Sequence, residues 1–293
     1  CSGGGSNGGG GGSGSGGGSG GGSTTATAAA SLGRGSNPRS AESISTDVAE
    51  ALLAIALCHN VSPVESLSTS AADGFQGASP DELALVQFAA RCGLVLHERT
   101  PDSITLHEPT GVLRRFQLLH EMPFSSEFKR MGILLRDATS GRTTFLVKGA
   151  DTVMGERIQP SDWMEEEVGN LAREGLRTLV VAAKELSDAQ LDEFQSAMAA
   201  AQHAKLGRAE AVRAAFEMLQ EDMRLVCVTA VEDRLQANVR ATLEMLRDAN
   251  VRTWMLTGDK FETAWVIAQN SSLVARRQPF YTVSVQQNAE EAD

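Results

Sequence analysis

Apolar and polar residues change rhythm several times along this chain. Residues 41–58 repeat with a helical period and end in an apolar stripe, Leu52, Leu53, Ile55 and Ala56, which predicts a helix packed on a core. A polar loop covers 59–77, and then Ser79-Pro80-Asp81-Glu82 leads into LALVQFAARCG. Ser79 is placed to cap a helix, Pro80 to fill its first position, Glu82 to complete a capping box and Gly93 to end it. From Leu94 to Val147 the texture is β-rich. LVLHER, SITLH, VLRRFQLL, MGILLR and TTFLV are separated by turn signals such as Asp137-Ala-Thr-Ser-Gly141. Short consecutive strands with tight turns predict an antiparallel sheet.

Helices are expected again at 150–157 and 162–174, the latter ended by Gly175, followed by a strand, LRTLVVAAKEL. Ser187-x-x-Gln190 opens an Ala-rich region of one or two helices reaching about 222. LVCVTAV is a continuous apolar run, the signature expected of a parallel strand buried on both faces. A helix at 237–249, a second such strand, VRTWMLT, and a helix from Phe261 to Gln269 follow. Strand–helix–strand–helix predicts a parallel α/β unit. The expected divisions are 1–40, 41–222, 223–280 and a polar, acidic, frayed tail at 281–293.

Composition changes this picture at the N-terminus. Fifteen of the 29 glycines fall in the first 22 residues, and the stretch 1–40 carries almost no large apolar side chain. Such a segment cannot offset its ordering entropy, so it reads as a disordered linker. The net charge of −11 argues against a nucleic-acid partner while permitting a local basic pocket. Cys1, Cys58, Cys92 and Cys227 form no CxxC pair and suggest neither zinc nor a disulfide framework. No apolar run reaches the 18 or so residues that span a bilayer. The chain itself is expected to be soluble.

Several segments could carry chemistry. Thr257-Gly258-Asp259 follows a predicted strand, where ligands of open α/β sheets bind, and its groups suit a phosphate and Mg²⁺. An ordinary strand–helix turn would also explain it. Lys148-Gly149-Ala150 lies between a strand and a helix, where a lysine could reach a phosphate or stay solvated. Phe124-Ser-Ser-Glu-Phe-Lys129-Arg130 sets an aromatic beside cations, as an adenine nucleotide requires, or Phe124 is simply core. Arg177 could anchor a phosphate or a salt bridge. Glu82 could accept from an adenine amino group, although the capping box already accounts for it. The five histidines, His59 among them, lack metal-ligand spacing and read as structural or solvated. No GxSxG, HExxH or GxxxxGK[ST] occurs.

Taken in order, ALCHNV, FQGASPDELALV, MPFSSEFKRM, FLVKGAD, EGLRTLVVA, AVEDRLQ and WMLTGDKFETA resemble the P-type ATPases, and FQGASPDELALV resembles their phospholipid-flippase branch most closely. The resemblance covers about residues 45–275. It implies an α+β nucleotide-binding domain, an antiparallel sheet flanked by helices, followed by part of a parallel α/β phosphorylation domain of the haloacid-dehalogenase type. It implies that Phe124 stacks on adenine, Glu82 lies beside the base, Lys148 and Lys129 line the pocket and Arg177 holds the phosphates. Thr257, Gly258 and Asp259 would face the γ-phosphate and Mg²⁺, and Asp233 would lie near the hinge between the domains. ATP and Mg²⁺ are the implied cofactors, with most magnesium ligands outside this chain. The implied partners are a phospholipid, reached through a membrane domain, and an accessory membrane subunit. The implied location is the cytoplasmic face of a membrane.

The departures set the expected activity. The family phosphorylates the aspartate of a DKTGT sequence, and no DKTG occurs here. The fragment alone is therefore expected to bind ATP without hydrolysing it. A stand-alone nucleotide-binding module with no transport role, and a truncated product with no ligand, are the competing readings.

Overall fold

The computed structural model describes residues 27–31, 41–64, 74–232, 235–275, 279 and 281–283. The expected hinge residue Asp233, most of the expected linker 1–40 and residues 284–293 of the expected tail lie outside the described residues.

Helix α1 (Ala41–Leu57) is followed by a small ladder of β2 (Ser62–Pro63) and β3 (Phe75–Gln76), then α2 (Pro80–Arg91). The expected strands form β4 (Val95–Arg99), β5 (Ser103–His107), β6 (Leu113–Ser125), β7 (Arg130–Asp137) and β8 (Thr143–Gly149). Next come α3 (Asp151–Met154), α4 (Asp162–Arg173), β9 (Arg177–Leu186), α5 (Asp188–His203), α6 (Arg208–Glu217) and β10 (Arg224–Glu232). Helices α7 (Val239–Asp248) and α8 (Phe261–Asn270) complete the described elements, with β1 (Thr27–Ser31) upstream. The main sheet runs β1-β10-β9-β8-β7-β6-β5-β4, and every neighbouring pair is antiparallel.

Both faces of this sheet are covered. Along β8, Leu146 packs with Ala54, Ile55, Ala84 and Leu85 under α1 and α2. Phe145 and Val147 point the other way, into a second core with Met154, Val168, Phe194 and Phe216 from α3 to α6. Phe194 sits between the Phe216 and His120 rings, with centroids 5.5 and 5.1 Å away. A fully buried phenylalanine of this kind contributes about 2 kcal/mol through removal from water. Ser187 and Gln190 form both limbs of the capping box that starts α5.

Three expectations are corrected. First, β10 contains the continuous apolar run LVCVTAV but pairs antiparallel with β9 and β1. A continuous run reports burial on two faces, and two helical layers supply that here without a parallel neighbour. Second, VRTWMLT forms no strand: residues 251–257 have no regular secondary structure, and Trp254 and Leu256 are exposed. Among the described residues no two named strands run parallel, so the expected parallel α/β unit is not formed. Third, the expected capping box at α2 is not formed: Ser79 makes no side-chain cap bond, and the Glu82 carboxylate bonds the Asn60 N–H and Lys148 instead. In addition, residues 27–31, inside the Gly-rich segment read as linker, run as a strand along the outer edge of β10. Backbone pairing at a sheet edge needs only free N–H and C=O groups, which a segment of any composition can supply.

Candidate functional site

The Lys148 side chain shares the face of β8 occupied by Leu146, so it projects beneath α1 and α2 rather than into solvent. Its ammonium donates to Glu82 Oε1 at 3.1 Å, and both side chains are largely buried, 5% and 12% exposed. The other carboxylate oxygen, Glu82 Oε2, accepts from the Asn60 backbone N–H at 3.3 Å. Glu82 is thus withdrawn from the helix cap and gripped from two sides.

The turn after α1 is fixed from within. His59 is fully buried, with Nε2 2.8 Å from the Ala56 carbonyl oxygen and Nδ1 3.0 Å from the Val61 backbone nitrogen. Burial, with the Arg99 and Lys148 cations adding to it, pushes its pKa down to about 3 against the opposing bond to Ala56. Burial likewise pushes the neighbouring Cys58 thiol up to about 12 despite the Lys148 charge. Arg99 on β4 donates to Glu121 at 3.1 Å and to Asn60 Oδ1 at 3.4 Å.

Beside this pair lies the β6–β7 hairpin end. Phe124 is 61% exposed, a large aromatic presented to solvent from a strand end. Lys129 is also exposed and takes a positive φ of 49°. The turn is anchored from below by Arg130, 3% exposed, which donates to Gln220 Oε1 at 2.6 Å, to Glu217 and to the Phe128 carbonyl. The Phe128 ring lies between the Arg130 and Arg213 guanidinium groups. Gly149 lets this turn approach β8: an added Cβ would stand 2.6 Å from Arg130 Cβ and 3.0 Å from the Lys129 carbonyl. Ala150 N–H donates to that same carbonyl at 3.0 Å.

Arg177, at the start of β9, joins the two ends of the site. Its guanidinium reaches Asp81 at 3.8 Å and Asp259 at 3.3 Å. Thr257 Oγ1 accepts from the Asp259 N–H at 3.0 Å, and Lys260 reaches Asp151 at 2.6 Å. Behind this loop α8 docks on the main body, with the Thr263 hydroxyl donating to the Leu176 carbonyl and Val266 packed against Gly175. Gly258 is exposed with nothing near its Cβ position.

The structure therefore brings Glu82, Lys148, Arg177 and Asp259 into one connected set through Asp81 and α2, with Thr257 attached to Asp259 and Lys129 abutting Gly149-Ala150. Phe124 stands on the same hairpin, near the end of β6. Sequence reasoning missed the roles of Asp81, Asp151, Lys260, Asn60 and His59. Asp81 carried a signal, being the acidic residue directly before Glu82 in the SPDEL segment; the others are joined only by folding. Among the described residues no three His, Cys, Asp or Glu side chains gather to hold a metal ion. No described helix is long and apolar enough to cross a membrane.

Several known proteins are similar to this chain. Residues 47–238 match the family model of the P-type ATPase cytoplasmic domain N. The chain is 46% identical to human "Probable phospholipid-transporting ATPase IIB" over 264 residues, 85% of this chain and 23% of that protein. It is 47% identical to "Probable phospholipid-transporting ATPase tat-5" of Caenorhabditis elegans over 240 residues, 80% of this chain and 22% of that protein. It is 40% identical to "Phospholipid-transporting ATPase NEO1" of Saccharomyces cerevisiae, over 83% of this chain and 21% of that protein. The chain spans less than a quarter of the length of these relatives. With its antiparallel sheet, helical layers and matched residues 47–238, the chain belongs to the P-type ATPase family.

Proposed function

We propose that this chain is the ATP-binding cytoplasmic portion of a phospholipid-translocating P-type ATPase. The observation that carries the reading is the buried Glu82–Lys148 pair, with the adjacent residue of α2, Asp81, paired to the Arg177 guanidinium and the exposed Phe124 near the end of β6. An adenine needs an aromatic face, a hydrogen-bond acceptor for its amino group and cations toward its phosphates. Phe124 supplies the face, Glu82 the acceptor, and Lys148, Lys129 and Arg177 the cations. Thr257, Gly258 and Asp259 turn toward the terminal phosphate.

ATP fits this donor and acceptor set; a resident metal does not, since Asp259 is paired with Arg177 and no described carboxylate cluster joins it. Magnesium accordingly arrives with the nucleotide, and most of its ligands come from outside this chain. The family's DKTGT sequence is not among these 293 residues. This chain positions ATP and stabilises charge, and alone it does not turn ATP over. Of residues 223–280, expected for the phosphorylation domain, β10 joins the main sheet; the remainder, with Asp233 at the junction, is assigned to a phosphorylation domain whose parallel sheet draws strands from elsewhere in the protein. The names of the relatives support a phospholipid as cargo, and the description of the matching family model, a cytoplasmic domain, supports the cytoplasmic face as location; the membrane domain that would carry the lipid lies outside these residues. An accessory membrane subunit completes the assembly.

Calorimetric titration of the chain with ATP tests the reading. Binding on the order of 1 mM or somewhat tighter, about −4 to −5 kcal/mol, is expected, with loss in both Lys148→Ala and Phe124→Ala and with negligible turnover. A folded chain that ignores ATP would sink it.

A further inference from the structure

We propose that His59 is a positioning residue for nucleobase selection, acting through the Asn60 backbone on Glu82; this rests on reading Glu82 as the group that meets the base. The two partners of the imidazole dictate its state. The Ala56 carbonyl can only accept and the Val61 N–H can only donate. His59 therefore carries its proton on Nε2, donates to Ala56 and accepts from Val61 through Nδ1. A second proton, or the other tautomer, would set two N–H groups against each other. The Ala56 carbonyl is one of the last-turn oxygens of α1 that the helix itself leaves without a partner.

These bonds hold both flanks of Asn60. The chain leaves α1 at Leu57 and turns with the His59 N–H donating to the Leu57 carbonyl. It is caught again at Val61, which is fully buried. Asn60 lies between the two fixed points, and its N–H is thereby aimed at Glu82 Oε2. Lys148 takes the other oxygen. Each carboxylate oxygen has a second lone pair. Held by one donor apiece, the oxygens cannot rotate away, and their remaining lone pairs present a fixed acceptor edge. An exocyclic amino group, as on adenine, meets that edge favourably. A carbonyl in the same place, as on guanine, meets like charge. If the Asn60 N–H drifts, the carboxylate swings about Lys148 alone and the discrimination weakens. The arrangement thus makes base selectivity depend on a histidine that touches no ligand.

The test titrates the full 293-residue chain with ATP and with GTP, in the wild type and in two variants that each keep one of the two bonds. His59→Asn retains an acceptor near the Nδ1 position for Val61. His59→Gln reaches toward Ala56 and loses the Val61 acceptor. The wild type is expected to prefer ATP, His59→Asn to keep that preference within about twofold, and His59→Gln to lose about fivefold of it, the worth of one well-placed hydrogen bond. Imidazole ¹⁵N spectra of the wild type are expected to show the Nε2-protonated neutral ring throughout about pH 5 to 8, a range that spans the ordinary titration. Equal affinities for ATP and GTP in the wild type, an unchanged preference in His59→Gln, or a ring that titrates within that range overturns the proposal. Phe124→Ala serves as the control. If it binds ATP as the wild type does, the nucleotide reading falls and takes this proposal with it.

Discussion

Lys148 on β8 and Glu82 in the first turn of α2 lie 66 residues apart in sequence and 3.1 Å apart in the fold. Their pairing ties the helical layer to the centre of the sheet at the place where a nucleotide is proposed to bind. Neither residue is explained by its local segment. Lys148 ends a strand, where a lysine usually reaches solvent, and Glu82 occupies a capping position that it does not use.

Removing one member should expose the cost of the other. Lys148→Met leaves the Glu82 carboxylate with the Asn60 N–H as its remaining partner in a site where it is 12% exposed. A loss of about 3 kcal/mol in urea unfolding is expected, because an uncompensated buried charge is destabilising. The double variant Lys148→Met/Glu82→Leu should recover most of that loss while still failing to bind ATP. Strict additivity of the two single changes would show that the pair is not coupled.

Gly149→Ala should act on the neighbouring turn. Its φ is not positive, so the effect is steric rather than conformational. The new methyl meets Arg130 Cβ and the Lys129 carbonyl, both fixed by backbone and by a buried guanidinium. The turn must move, at about 1–3 kcal/mol of stability, and Lys129 and Phe124 move with it. ATP affinity is expected to fall by about tenfold, the equivalent of 1.4 kcal/mol. Wild-type affinity in a destabilised variant would separate the turn from the nucleotide.

A third expectation concerns acid. Burial alone would raise the Asp137 pKa, but bonds from Arg114, the Thr139 N–H and the Ser140 hydroxyl outweigh it and hold it near about 2, against 3.8 ordinarily. A depressed carboxyl stabilises the fold above its unfolded pKa and loses that contribution as pH falls through the folded value. The contribution, about 2 kcal/mol, should therefore be complete above about pH 5 and vanish between about pH 4 and 2. Asp137→Asn should lower stability at neutral pH and flatten the acid limb of the stability curve. Parallel curves for variant and wild type down to about pH 2 would refute it.

The legible parts of this fold were those where local pattern and tertiary context agree. Pro80 and Gly93 bounded α2, the turn signals separated β4 to β8, and Ser187 and Gln190 capped α5, each through short-range chemistry. The failures share a cause. LVCVTAV encodes burial on two faces, and nothing in those seven side chains specifies the direction of the neighbouring strand. VRTWMLT has a similar apolar texture, yet without a partner edge among the described residues it stays irregular and exposed. In the site, Phe124, Lys148 and Arg177 could be singled out by residue type and by the family resemblance. The ion pairs among Asp81, Arg177 and Asp259, and the bonds from His59 through Asn60 to Glu82, join distant segments and arise only from folding.

The pairing of β1 with β10 has a mechanical consequence. Thr27, where the chain enters the sheet, lies directly opposite Glu232, where it leaves. Because β10 is also held by β9 on its other side, β1 is the outermost strand of a continuous eight-stranded sheet. A pull applied at Thr27 and Glu232 would therefore load the β1–β10 bonds one at a time, from that end inward, and strip the edge strand before it strained the strands beneath.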